Sequence, residues 1–103
     1  MVRATVMYPH AAGKKFDFDY YTQKHLPLVG QLLGGVLRGI TAERGLSGAG
    51  PGTEPAFAAI AQMTFDSFEA LQGALGTHGP ALMGDIPNFT GIQPVIRVSE
   101  VIL

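Results

Sequence analysis

His25 is the residue of this chain best placed to do chemistry. It lies in Phe16-Asp17-Phe18-Asp19-Tyr20-Tyr21-Thr22-Gln23-Lys24-His25-Leu26-Pro27-Leu28-Val29, two residues before a proline. Helical spacing aligns Phe18, Tyr21, His25, Leu28 or Val29, and Leu32 on one face. An imidazole, a group that titrates near neutral pH, is thereby aimed at the core with an aromatic one turn away. Burial demands a hydrogen-bond partner for such a ring. Two readings follow. In one, His25 is a general acid/base at the bottom of a pocket between helix and sheet, with Tyr21 as its polar neighbour. In the other, it is a core histidine that donates to a backbone carbonyl, for which the Gln23 carbonyl left free by Pro27 is available.

The remaining polar residues have simpler explanations. Tyr20 and Tyr21 fall on different helix faces, so at most one joins His25, and Tyr21 has the better spacing. Asp17 and Asp19 suit a helix N-terminus, and Asp66 with Glu69 forms a capping-box pattern. Asp85 and Asn88 read as turn formers, although they could line a pocket mouth. His10 and His78 lie in turns and read as surface histidines. No His-x-x-x-His or His-x-x-Glu spacing is present, so no metal site is expected. Phe57, Phe65, Phe68 and Phe89 are first of all core residues, but an apolar ligand would use the same side chains. Phe18, Phe65 and Phe89 are assigned as the substrate-binding wall. Gly48, Gly50 and Gly52 lack the following helix that a phosphate-binding loop needs.

The elements that must position these residues can be read in order. Val2, Ala4, Val6 and Tyr8 alternate with Arg3, Thr5 and Met7 as in a strand. Asp17 caps a helix that Phe16 staples onto Tyr21; it runs to about Leu33 and stops at Gly34-Gly35, with a kink or break expected at Pro27. Val36 to Arg44 is a second strand, and Gly45 to Pro55 a flexible loop. Ala56 to Phe65 is a third strand. A second helix opens at Asp66-Ser67-Phe68-Glu69 and ends at Gly76, with a short extra turn from Pro80 through Met83. Asp85 to Phe89 is a loop, and Ile92 to Leu103 a long last strand. The order β-α-β-β-α-β is that of a ferredoxin-like α+β domain, one antiparallel four-stranded sheet with helices on one face. Residues 1–103 form a single domain.

Composition narrows the function. Hydrophobic residues are 47% of the 103 and charged ones only 15%, apolar for a small chain. Strands three and four read as apolar on both faces, and an antiparallel sheet open to water alternates more cleanly. A second copy of the chain is the simplest cover, so a homodimer is expected. The net charge of −1 and the lack of a Lys/Arg cluster offer nothing to nucleic acid. The absence of cysteine rules out disulfide and thiolate chemistry. No run reaches membrane-spanning length and no signal peptide is evident, so a cytoplasmic location is expected.

Three segments resemble the EthD family, named for ethyl tert-butyl ether degradation, of the dimeric α/β-barrel superfamily. They are Phe16-Asp17-x-x-Tyr20-Tyr21-x-x-x-His25-x-Pro27-Leu28-Val29, Arg44-Gly45-Leu46, and Met83-Gly84-Asp85-Ile86-Pro87-Asn88-Phe89-Thr90. The resemblance implies two sheets packed face to face as a barrel with helices outside. It also implies a link to oxidative degradation, among relatives that include lactone isomerases, polyketide-tailoring enzymes, monooxygenases and heme-dependent enzymes. Fold alone does not choose between these. The expectation is a small catabolic or secondary-metabolism protein acting on a small, mostly apolar organic compound. It would be oxidoreductase-associated, or a cofactor-independent isomerase or monooxygenase, with His25 and Tyr21 catalytic and no organic cofactor. The alternative is a non-catalytic dimeric binding or accessory protein of such a pathway.

Overall fold

In the computed structural model, which describes residues 1–103, β1 (Val2–Pro9) occupies the middle of the sheet. It pairs antiparallel with β3 (Phe57–Phe65), Val2 opposite Phe65 and Tyr8 opposite Ala59, and with β4 (Val95–Glu100), Ala4 opposite Val98. β2 (Gly39–Arg44) lies outside β3, giving the order β2-β3-β1-β4. Every neighbouring pair is antiparallel, as the ferredoxin-like order requires. The second and fourth strands are shorter than their apolar patterns predict, because Val36 falls in a turn and Ile92 is buried in the segment before β4.

The first helical segment is one rod in three parts. α1 (Phe18–Tyr20) is capped by Asp17, whose side chain accepts from the Tyr20 N–H at 3.1 Å, and the Phe16 ring meets Tyr21 at 5.0 Å as a staple does. Tyr21–His25 is a π turn, closed by the Leu26 N–H donating to the Tyr21 carbonyl, and α2 (Leu26–Leu33) follows. Pro27 falls in the first turn of α2, where its missing N–H costs little. The expected break is therefore a π turn that widens the helix just before the proline. Its buried stripe, Tyr21, His25, Val29 and Leu33, advances by four at each step.

α3 (Phe68–Asp85) corrects the sequence reading twice. The cap is Ser67, accepting from the Ala70 N–H at 3.1 Å, while Asp66 instead pairs with Arg38 at 2.9 Å. The helix also passes through Gly76 and Pro80 without ending. Its buried Leu71, Ala74 and Leu82 keep one face on the core across both residues. Burial of that stripe outweighs the local preference of glycine and proline to stop a helix. A 3₁₀ turn, Ile86–Asn88, completes the segment.

Two packed groups fill the space between helices and sheet. Ala4, Val29, Leu33, Met63, Phe65, Leu71, Ala74 and Leu82 form one, and Tyr8, Tyr21, Ala59, Ala61, Ile86, Phe89 and Ile92 the other. The sheet's opposite face is more mixed than the sequence reading had it. Strand register sets Glu43, Ile60, Met7 and Val95 in one row across it and Thr41, Gln62, Thr5 and Arg97 in the next. An apolar row thus borders a polar one. No helix is long and apolar enough to cross a membrane.

Candidate active site

The π turn decides how the site is built. In a regular α-helix, positions five apart point about 140° away from each other. The wider turn across Tyr21–His25 closes that angle, and Tyr20 and His25 reach the same carboxylate, that of Asp85 at the end of α3. π turns recur at functional sites for this kind of reason. His25 Nδ1 lies 2.9 Å from Asp85 Oδ2, and the Tyr20 hydroxyl donates to Asp85 Oδ1 at 2.7 Å. The Asn88 amide donates to the same Oδ1 at 3.0 Å.

Asp85 is charged by virtue of its partners. Burial works against its charge, but hydrogen bonds from Tyr20, Asn88 and His25, with the positive charge His25 can carry, hold the carboxyl below the ordinary range. The Asp85 bond in turn raises the Tyr20 hydroxyl above its usual value, and burial adds to this. A carboxylate can only accept, so the hydrogen on Nδ1 belongs to His25. That fixes the neutral ring as the Nδ1–H tautomer, with its lone pair on Nε2.

The His25 ring is 6% exposed and forms part of the wall of a cavity of about 270 Å³ between helices and sheet. Sixteen residues line it, 14 of them hydrophobic, among them Val6, Tyr8, Tyr21, Val29, Ile40, Met63, Leu82 and Ile96. Tyr21 stacks on His25 with ring centroids 5.8 Å apart and planes 14° from parallel. Burial pushes the Tyr21 hydroxyl up to about 12 and raises Tyr8 beyond the ordinary tyrosine range. Both are neutral donors at physiological pH.

The sequence-assigned residues divide. His25 and Tyr21 share the cavity wall, while Phe18, Phe65 and Phe89 lie outside its lining. Phe89 packs behind the site, its ring 4.6 Å from that of His25. Phe65 is fully buried beside Ala4 and Leu33, and Phe18 lies under the Arg44 guanidinium at 4.3 Å. His10 instead meets Glu54 at 3.2 Å. Sequence reasoning missed the parts played by Tyr20, Asn88 and, above all, Asp85, read as a turn former. Sixty residues separate Asp85 from His25, so no local spacing connects them. One signal was present. A carboxylate in the last turn of a helix faces the negative end of the macrodipole and needs an external reason to be there. It was hidden because the helix was expected to stop at Gly76.

The family model for the EthD domain matches residues 10–93. Along the whole chain, it is 30% identical over 106 residues to an uncharacterized 11.0 kDa protein in the thcB-thcC intergenic region of Rhodococcus erythropolis, covering 99% of that protein. The crystal structure of an EthD-like protein from Ralstonia eutropha JMP134 is 40% identical, with a TM-score of 0.93 over 99% of this chain and 92% of that one. A protein of the EthD (ethyl tert-butyl ether) family from Bacillus halodurans C-125 is 28% identical, with a TM-score of 0.77 over 99% of both chains.

Proposed function

This chain belongs to the EthD family, and from that premise we propose that it is a general acid–base enzyme acting on a small, mostly apolar organic compound. The observation that carries this is the His25–Asp85 pair on the wall of a mostly apolar cavity. Asp85 orients the ring and balances the charge that forms when Nε2 takes a proton, as a carboxylate does in the triads of acyl-transfer enzymes. Tyr21, neutral and stacked on the ring, serves as the second polar group. The apolar lining shields the pair from water and strengthens its electrostatics.

The working unit in this reading is a homodimer joined through the open faces of two sheets, a barrel with the helices outside. Arg3 Nε and Thr5 Oγ1 support it. Both belong to that face and are buried without a hydrogen-bond partner, which a second sheet can supply. The row of Met7, Ile60 and Val95 offers apolar area beside them.

A second reading, a dimeric binding or accessory protein, rests on the same lining, since an apolar cavity with one histidine on its wall also suits a carrier. One experiment separates the two. A thermal-shift screen of small apolar compounds finds ligands by the stability they add. The His25→Gln variant is then expected to bind the same compound and lose turnover. Full turnover by a folded variant would remove His25 from the mechanism, and a ligand that is bound but never converted would favour the carrier.

A further inference from the structure

Three side-chain polar atoms are buried without a hydrogen-bond partner: Arg3 Nε and Thr5 Oγ1 on the open sheet face, and the hydroxyl of Tyr21, whose side chain forms part of the cavity wall. An unpaired hydroxyl in an apolar setting is destabilising, and a phenylalanine would avoid the cost. Tyr21 is 2% exposed, lines the cavity, and sits one turn from His25 with the two rings 14° from parallel. Phenol and imidazole therefore lie side by side in the cavity wall. One is a donor in want of an acceptor, and the other a base with its lone pair on Nε2. We infer that the cavity takes a small apolar compound with an enolisable carbonyl group, whose oxygen accepts a hydrogen bond from Tyr21 and whose α-proton passes to His25 Nε2. This substrate class rests on the acid–base reading above.

The step balances within the compound and the protein. The α C–H bond breaks, its electron pair forms a carbon–carbon double bond, and the carbonyl π pair moves onto oxygen. The enolate oxygen is a stronger acceptor than the ketone, so the Tyr21 hydrogen bond tightens as charge develops. Its hydroxyl, pushed up to about 12 by burial, keeps its proton at neutral pH and serves as donor. His25 carries the abstracted proton on Nε2 beside the Asp85 carboxylate. It returns the proton to the same carbon or to the far end of a conjugated system. No electrons leave the compound, so the outcome is a redox-neutral proton shift.

Two bicyclic probes of one size suit a cavity of about 270 Å³: 2-tetralone, which has acidic α-protons, and tetralin, the same skeleton without oxygen. The protein is expected to bind the ketone about tenfold more tightly, the worth of one neutral hydrogen bond. In D₂O it should speed exchange of the ketone's α-protons, followed by proton NMR, at least about 100-fold over buffer. Tyr21→Phe should melt at the same or a higher temperature, lose the preference for the ketone, and slow the exchange. His25→Gln should keep the preference and lose the exchange. A ketone preference that depends on Tyr21, with no exchange that depends on His25, would overturn the acid–base reading and the proton shift with it. Exchange that depends on His25, with no ketone preference, would overturn the part given to Tyr21 alone. Failure of both probes to bind, or a marked drop in melting temperature for Tyr21→Phe, would also overturn the inference.

Discussion

At Asp85 three donors, from Tyr20, Asn88 and His25, meet on one carboxylate at the unfavourable end of a helix. The arrangement leaves a mark on stability that can be measured. A carboxyl held below its ordinary range when folded binds fewer protons in the native state than in the unfolded one. Its contribution is complete above the unfolded value of about 3.9 and fades as pH falls through the lower folded value. The Asp85→Asn variant is therefore expected to be less stable by about 1–3 kcal/mol at pH 7, where it leaves His25 and Tyr20 with a weaker acceptor. Chemical denaturation at a series of pH values should show that deficit shrinking below about pH 4. A deficit that stays constant down to pH 2 would mean that Asp85 is not an ion held by its neighbours. The same variant should impair turnover more than ligand binding, because it disturbs the His25 tautomer and not the cavity wall.

The helices show local preference yielding to burial. α3 continues through Pro80, although a proline inside a helix removes a hydrogen bond and crowds the carbonyl of Gly76, four residues earlier. Pro80 itself is exposed and lies outside the cavity lining. Pro80→Ala is expected to raise stability by about 1–3 kcal/mol, with an upward shift in melting temperature as the measurement. A fall would show that the proline shapes the approach of Asp85 to His25, and the acid limb of the stability curve would change with it. The π turn is the other element whose form serves the site. It adds the residue that brings Tyr20 and His25 to one carboxylate, which a regular helix would hold about 140° apart.

For the whole molecule, the open face of the sheet is where the proposed dimer joins. Met7 and Ile60 lie side by side on its central strands, next to the buried and unpaired Thr5 hydroxyl. A sedimentation experiment at micromolar concentration is expected to give twice the chain mass, and Ile60→Glu to give a folded monomer, since a buried charge without a partner is prohibitive in an interface. A wild-type monomer would sink the dimer. A dimeric Ile60→Glu variant would move the interface to another surface, with the exposed apolar side chains Ile96 and Val98 of β4 as the next place to look.

What the sequence determined by itself was everything set by neighbours along the chain. Alternation over Val2–Tyr8, the Asp17 cap with its Phe16 staple and the order of elements followed from local periodicity, and together they specify the ferredoxin-like topology. The buried histidine and its tyrosine neighbour were legible too, because helical spacing alone brings Tyr21 and His25 to one face. Tertiary structure decided the rest. Where α3 ends depends on how much of its face the core covers, a quantity that Gly76 and Pro80 cannot report. The identity of the histidine's partner depends on a contact across sixty residues. Asp85 reads as a turn former until the helix before it is known to run on. Only the packing of two helices on one sheet turns it into the group that orients the ring.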